Sequence, residues 1–170
     1  MGDSGYVQSM KTTEGIWRFF LAASILLVSA LRAPTGELDE KIYDETADGT
    51  KQVSGALSKA KKDHKRVLVQ FGNNPCILCH RLHKLYETDK AIREKLKSDF
   101  VLVMIDITGE HNAAVDKKYG NPTKTGFPAV VILDEDGKQL TTNSTDDWVE
   151  NNRYLPAKVL AFLKEWGKPA

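Results

Sequence analysis

Hydrophobic and polar residues alternate with two different periods along the chain beyond residue 50. Val53, Ala56, Leu57 and Ala60 recur at helical spacing, and a short β-rich run follows at residues 67–71. The helical spacing predicts four further helices. One runs through Leu78, Leu82 and Leu85, and a second follows a new cap at Thr88 or Asp89 and runs through Ile92 and Leu96. The other two extend from Asn112 to Tyr119 and from Pro156 to Trp166. Further strands are predicted at residues 100–107, 128–133 and 139–142, the last two joined by a hairpin turn at 134–137.

The order of these elements predicts the fold class. Helices and strands alternate until the last two strands, which follow each other directly before the final helix. We therefore expect an α/β domain with a central mixed sheet of about four strands flanked by helices. Strands separated by helices should be parallel, and the last pair should be antiparallel.

The N-terminal region has a different pattern. Lys11 and Arg18 precede an apolar run at residues 19–31, which contains small residues at 28–30. A positive flank, a short apolar core and small residues predict a secretory signal peptide over residues 1–30. The remaining alternatives are an uncleaved membrane anchor or a buried helix. We expect a polar linker at 31–50, a domain at 51–170, and a mature protein in the periplasm or otherwise outside the cytoplasm.

Composition narrows the function classes. The chain has 170 residues, with 24 Lys plus Arg against 23 Asp plus Glu, and 41% of its residues are hydrophobic. This composition is that of an ordinary globular domain and argues against disorder. Because the charges balance and no basic stripe is present, nucleic acid is not an expected partner.

The chain's two cysteines carry the candidate chemistry. Cys76 and Cys79 form a C-x-x-C motif directly after the first predicted strand. Asn74 is a favourable N-cap and Pro75 a favourable first helical residue, which would place Cys76 in the first turn of a helix. Helix-end N–H groups stabilise a thiolate there, so Cys76 should attack disulfides and Cys79 should resolve the product.

A second motif adds to this picture. Gly126, Phe127 and Pro128 lead into a later strand and hairpin. Together with the strand, the C-x-x-C and the helix start, they resemble the thioredoxin superfamily. The resemblance is greatest to the C-terminal thioredoxin-like domains of bacterial thiol:disulfide interchange proteins (DsbD) and related small exported proteins. It implies a thioredoxin-like fold and a cis Pro128 facing the cysteines, with the backbone of Phe127 pairing with a substrate strand.

The chain departs from the pattern of that superfamily in three ways. Pro75 stands where an aromatic residue usually precedes the first cysteine. Gln70 occupies the place of a buried acid that helps to move the proton of the second thiol, so the resolving step should be slower or use another base. Ile77 and Leu78 replace small or polar residues and would present an apolar surface to partner proteins.

The same residues allow metal or haem readings. Cys76, Cys79 and His80 form a literal C-x-x-C-H, the attachment sequence of c-type haem. With His83 they also share one helical face, where thiolates and imidazoles can hold zinc. His80 is either a surface residue or a modulator of the thiolates, whereas His64 and His111 are expected at the surface.

A further alternative is a thioredoxin-like binding module whose cysteines form a structural disulfide. Against it stands the expected exposure of the first cysteine. The sequence therefore predicts a disulfide oxidoreductase that needs no cofactor or metal. Its expected partners are protein thiol or disulfide substrates and a redox protein that recharges Cys76 and Cys79. We expect a monomer and a reductase or isomerase more than a strong oxidant.

Overall fold

The computed structural model describes Met1, Gly36, Leu38 and residues 40–168. The predicted signal peptide therefore lies outside the described residues, apart from Met1, as does much of the predicted linker. Within the described part of the chain, no helix is long and apolar enough to span a membrane.

Five helices and six strands make up the described domain. The helices are α1 (Gly49–Asp63), α2 (Ile77–Thr88), α3 (Lys90–Asp99), α4 (Ala113–Lys118) and α5 (Pro156–Glu165). The strands are β1 (Arg66–Gly72), β2 (Phe100–Asp106), β3 (Ala129–Leu133), β4 (Gln139–Asn143), β5 (Val149–Glu150) and β6 (Arg153–Tyr154). Short 3-10 turns at Pro122–Thr125 and Asp146–Trp148 complete the path.

Four strands form the central mixed sheet, which confirms the predicted fold class. Their order is β2-β1-β3-β4, with β1 parallel to β2 and antiparallel to β3, and with β3 antiparallel to β4. The prediction that β3 runs parallel to the preceding strands is wrong, whereas the predicted antiparallel pairing of β3 with β4 is confirmed. A parallel return needs a crossover long enough to bring the chain back along the sheet, and the six-residue α4 is too short for this. The chain enters β3 beside the end that β1 leaves, where Ala129 pairs with Phe71.

Alternation along the strands divides the core between the two faces of the sheet. Leu68 of β1 belongs to one apolar cluster with residues of α2, α3 and α5. Val67, Val69 and Phe71 point to the other cluster, which α1 and α4 cover. By the same alternation, Gln70 and Gly72 lie on the face that α2 covers.

Caps explain most helix boundaries. Asp48 caps α1 by accepting a hydrogen bond from the Lys51 N–H, and Asp89 caps α3 through the Ile92 N–H. The predicted break between α2 and α3 is thus confirmed. Asn112 precedes α4 as predicted but its side chain does not cap it, because its Oδ1 accepts from the Gly49 N–H at 2.8 Å.

A small hairpin of β5 and β6 follows the central sheet. The sequence did not predict it, because two-residue strands are too short to show an alternating pattern. Thr145, at its base, donates from Oγ1 to the Pro128 carbonyl at 2.9 Å. The segment that precedes the hairpin therefore contacts the loop that leads into β3.

Candidate active site

The first cysteine lies at the N-terminus of α2, one step outside the predicted position. The helix begins at Ile77 and Cys76 is its N-cap, so the predictions that Asn74 is the cap and that Pro75 opens the helix are wrong. The Cys76 Sγ accepts a hydrogen bond from the Cys79 N–H at 3.1 Å. A sulfur in this position receives the helix-end donors and the positive end of the helix dipole, both of which stabilise negative charge.

The two cysteines are joined to each other. Cys76 and Cys79 form a disulfide with their Cα atoms 5.2 Å apart. Cys79 is fully buried, whereas Cys76 is only half-buried. An incoming sulfur can therefore approach Cys76 from solvent, and Cys79 is reached only from within the protein.

Asn74 has a different role from the predicted cap. Its side-chain oxygen accepts from the backbone N–H groups of Ile42 and Tyr43, at 3.0 Å each. Its amide nitrogen donates to the Tyr43 carbonyl at 3.1 Å and to Glu45 Oε1 at 2.8 Å. The segment before α1 is thus fastened to the loop that carries Cys76.

Tyr43, a residue that the sequence analysis missed, comes with this segment. Its side chain is 2% exposed although it lies in the predicted polar linker. Gln70, fully buried, donates from Nε2 to the Tyr43 hydroxyl at 2.7 Å. Burial raises the pKa of Tyr43 well above its ordinary value, and this outweighs the lowering by the Gln70 hydrogen bond. A single aromatic residue in a polar stretch carries no periodic signal that would have identified it.

Gly72 leaves a small space next to the buried cysteine. A Cβ at this position would meet the Tyr43 hydroxyl and, at 2.6 Å, the Cys79 Sγ. Only glycine leaves this space open, since real Cβ atoms do not approach other heavy atoms so closely. The tyrosine oxygen and the second sulfur therefore border the same gap.

His80 is buried, at 5% exposure, so the reading that places it at the surface is wrong. Its Nε2 lies 2.7 Å from the Asn74 carbonyl oxygen, and a carbonyl accepts only, so this nitrogen carries the proton. His83 is near Glu87, with the closest N and O atoms 3.8 Å apart. His64 and His111 are exposed, as predicted.

The arrangement does not favour the metal or haem readings. Both sulfurs are in the disulfide, and His80 is turned to a backbone carbonyl. Among the described residues, no group of three or more His, Cys, Asp or Glu side chains is placed to hold a metal ion.

The loop before β3 meets the cysteines. The Phe127 carbonyl oxygen lies 3.8 Å from the Cys76 Sγ, and the Phe127 side chain is 39% exposed. The peptide bond between Phe127 and Pro128 is cis, and Pro128 is buried. Of the two residues between the cysteines, both half-buried, Leu78 packs against the cluster around Leu68. The apolar surface beside the disulfide is therefore made mainly by Ile77 and Phe127.

Comparisons with known proteins agree with this geometry. A family model described as "Thioredoxin-like domain" matches residues 53–144. The thiol:disulfide interchange protein DsbD of Actinobacillus pleuropneumoniae serotype 5b (strain L20) is 29% identical over 91 residues, which cover 54% of this chain. The matched segment spans only 15% of the length of that curated relative.

Solved structures are similar over most of the domain. The crystal structure of a disulphide isomerase from Xylella fastidiosa Temecula1 has 30% identity and a TM-score of 0.65, covering 74% of this chain and 96% of that chain. The oxidised C-terminal domain of Neisseria meningitidis DsbD has 20% identity and a TM-score of 0.52, covering 71% of this chain and 97% of that chain. At 20% identity, the similarity to the Neisseria meningitidis domain shows a shared fold alone.

Proposed function

The chain belongs to the thioredoxin-like family of disulfide oxidoreductases, and we propose that it exchanges disulfide bonds with protein thiols through Cys76 and Cys79. The observation that carries this proposal is the difference between the two sulfurs at the start of α2. Cys76 is half-buried and its Sγ accepts a hydrogen bond from the Cys79 N–H, whereas Cys79 is fully buried. Such a pair attacks with one sulfur and resolves with the other.

The exchange proceeds in two balanced steps. The Cys76 thiolate attacks a disulfide of the substrate, forms a mixed disulfide and releases one substrate sulfur as a thiolate, which takes up a proton. The Cys79 thiolate then attacks the Cys76 sulfur, closes the internal disulfide and releases the second substrate sulfur. The substrate is reduced by two electrons and the protein is oxidised by two.

Phe127, Pro128, Ile77 and Leu78 form the proposed substrate contact. Support comes from the Phe127 carbonyl beside the Cys76 Sγ and from the exposed Phe127 ring. Ile77 and Phe127 provide apolar surface next to the disulfide, and a backbone carbonyl at this distance can pair with an extended substrate segment. Leu78 contributes less, because much of its side chain is committed to the core.

We propose a reducing or isomerising role over a strongly oxidising one. Ile77 and Leu78 offer the thiolate neither charge nor a side-chain hydrogen bond, and the His80 Nε2 is occupied by the Asn74 carbonyl. His80 would modulate the site by holding that loop. A moderately stabilised thiolate gives a lower reduction potential, at about −230 mV or below, whereas a reduction potential of about −120 mV would contradict this proposal. Equilibrium titration against glutathione measures it.

Export is part of the proposal and rests on the N-terminal sequence alone. The basic flank and apolar run of residues 11–31 support secretion, in a compartment where protein thiols are oxidised. A chain lacking residues 1–30 should stay in the cytoplasmic fraction, and the full chain should be recovered outside it. Equal distribution of both would argue against export.

The activity is tested by catalysed reduction of insulin with dithiothreitol as the electron source. Cys76→Ala should abolish the acceleration, because no attacking thiolate remains. Cys79→Ala should reduce turnover strongly by stalling at the mixed disulfide. If both variants keep the wild-type rate, Cys76 and Cys79 are not the redox centre and the proposed function is wrong.

A further inference from the structure

The Tyr43 hydroxyl has a proton without an acceptor. Gln70 Nε2 donates to the hydroxyl oxygen, so the hydroxyl's own hydrogen is directed elsewhere. Among the hydrogen bonds of the described residues, none is donated by the Tyr43 hydroxyl, and the Gln70 Oε1, also buried, has no hydrogen-bond partner. Buried donors normally find acceptors, so this geometry calls for one.

The atom that borders this hydroxyl is the Cys79 sulfur. Both face the gap that Gly72 leaves open, where an added Cβ would meet the two of them. In the disulfide this sulfur is neutral and a poor acceptor. In the reduced protein it carries a negative charge whenever Cys79 ionises, and hydrogen bonds to charged groups are the stronger ones.

We propose that, in the reduced protein, the Tyr43 hydroxyl donates a hydrogen bond to the Cys79 thiolate and thereby promotes the resolving step. This rests on the proposed function and assigns Tyr43 as a positioning residue in it. Tyr43 remains a phenol over the working pH range, because burial raises its pKa. It supplies the hydrogen bond without giving up its proton. The proton that Cys79 loses is balanced by the one that the released substrate thiolate takes up.

Two features fit this role. Tyr43 is held in place by Asn74, whose side chain binds both its N–H and its carbonyl, so the hydroxyl is preorganised. Gln70, neutral and fully buried, orients the hydroxyl without competing for its proton. The segment that carries Tyr43, the loop that carries Asn74 and the strand that carries Gln70 thus together position the hydroxyl beside the Cys79 sulfur.

Other ionisable groups lie in this part of the domain, and the test includes variants of Asp106 and of one buried tyrosine as controls. His80 follows Cys79 directly on α2, and Cys76 lies three residues before Cys79. Asp106, fully buried at the end of β2, adds to the pKa rise of Tyr43, but its oxygens accept from the Thr108 N–H and Oγ1. The Tyr86 and Tyr154 phenols also lie on the face of the sheet that α2 covers.

The reduced full chain is mixed with Ellman's reagent in a stopped-flow instrument, which releases one coloured thiolate in each of two steps. The first step is attack by Cys76 and the second is attack by Cys79. Tyr43→Phe should leave the first unchanged and raise the pH midpoint of the second by about one to two units. At neutral pH the second step should slow by about 3- to 10-fold, because higher intrinsic nucleophilicity offsets part of the lost thiolate.

Controls separate the outcomes. Tyr86→Phe, a matched removal of a buried hydroxyl, should leave both steps unchanged. An unchanged second step in Tyr43→Phe overturns the proposal for Tyr43 and leaves the proposed function intact. A lowered midpoint in Asp106→Asn together with an unchanged midpoint in Tyr43→Phe assigns the effect to Asp106 and also overturns the proposal. Absence of the first step in wild type would instead overturn the proposed function.

If Tyr43→Phe does not fold, the wild-type protein provides the answer. With tyrosine labelled by carbon-13 at Cζ, one resonance of the reduced protein should titrate together with Cys79. The same resonance should not follow that titration in Cys79→Ser. If no tyrosine resonance follows Cys79, the proposal is wrong.

Discussion

Gln70 illustrates how one residue can be located from sequence while its partner is not. The strand period places it on the face that α2 covers, and it is fully buried there. Sequence could not show that its amide is hydrogen-bonded to Tyr43, because the two residues are 27 positions apart and Tyr43 lies in an irregular segment. Gln70 thus stands where the superfamily pattern has an acid, and its hydrogen-bond partner is a tyrosine that no sequence motif indicates.

Gln70→Glu should accelerate the release of a mixed disulfide near neutral pH, since a carboxylate there can accept the Cys79 proton. Burying an acid should at the same time lower the free energy of unfolding by about 1–3 kcal/mol. Stopped-flow resolution rates across pH, for wild type and variant, measure the first effect, and urea unfolding measures the second. Superimposable pH profiles would mean that Gln70 only orients its neighbours.

Tyr154 provides a prediction at alkaline pH. Burial raises its pKa to about 12, and the Thr145 hydrogen bond lowers it only partly. Between its unfolded and folded pKa values the unfolded chain loses a proton that the folded one keeps, so stability falls as pH rises through this window.

Oxidised wild type should therefore lose more stability than Tyr154→Phe between pH 9 and 11, by about 1 kcal/mol. Urea unfolding at the two pH values gives the difference. Parallel losses in the two proteins would show that the phenol ionises equally in the folded and unfolded states.

At the scale of elements, the prediction from sequence was best where a period runs through several turns. Residues 53–60 mark α1 and the apolar run at 67–71 marks β1, and both lie where expected. The predicted orientation of β3 was wrong, because the direction of a strand depends on the length of the connection before it. The helix in that connection, α4, has only six residues. The β5–β6 hairpin escaped prediction because its strands have two residues each.

The same distinction applies to how much of the site could be predicted from the sequence. The C-x-x-C pair and the Phe127–Pro128 loop were recognisable because they are short and contiguous in sequence. The contacts of Asn74 and Tyr43 were not, because they depend on how an irregular segment folds back onto the loop before α2. Even the cap of α2 shifted, since Asn74 is used for this long-range contact.

The contact between Thr145, which precedes the β5–β6 hairpin, and the loop before β3 is expected to matter for exchange. Thr145 is 2% exposed, and its hydroxyl donates to the Pro128 carbonyl. Thr145→Ala should leave that buried carbonyl without its donor, lower stability by about 1–3 kcal/mol and slow attack on a protein disulfide.

Thr145→Ser is the matched control, because it keeps the hydroxyl and should retain most of the exchange rate. Insulin reduction and urea unfolding are the measurements for both variants. Equal exchange rates in the alanine and serine variants would remove this hydrogen bond from the positioning of the loop.

For the whole domain, the sheet does more than separate two apolar clusters. The ends of β1 and β2, the start of β3 and the N-terminus of α2 lie together, so the disulfide, the Phe127 loop and Tyr43 converge at one edge of the sheet. Apolar clusters cover both faces of the sheet away from this edge. The two sulfurs are thereby placed at the start of α2, with Cys76 half-buried and Cys79 fully buried.

The central claim is that Cys76 attacks and Cys79 resolves, and trapping of the mixed disulfide tests it most directly. The reduced single-cysteine variants are incubated with insulin, and the adducts are mapped by non-reducing electrophoresis and mass spectrometry. Cys79→Ala should accumulate a dithiothreitol-cleavable adduct joined through Cys76, whereas Cys76→Ala should form almost none, because Cys79 is buried. An adduct through Cys79 in Cys76→Ala, or none in either variant, would contradict the account.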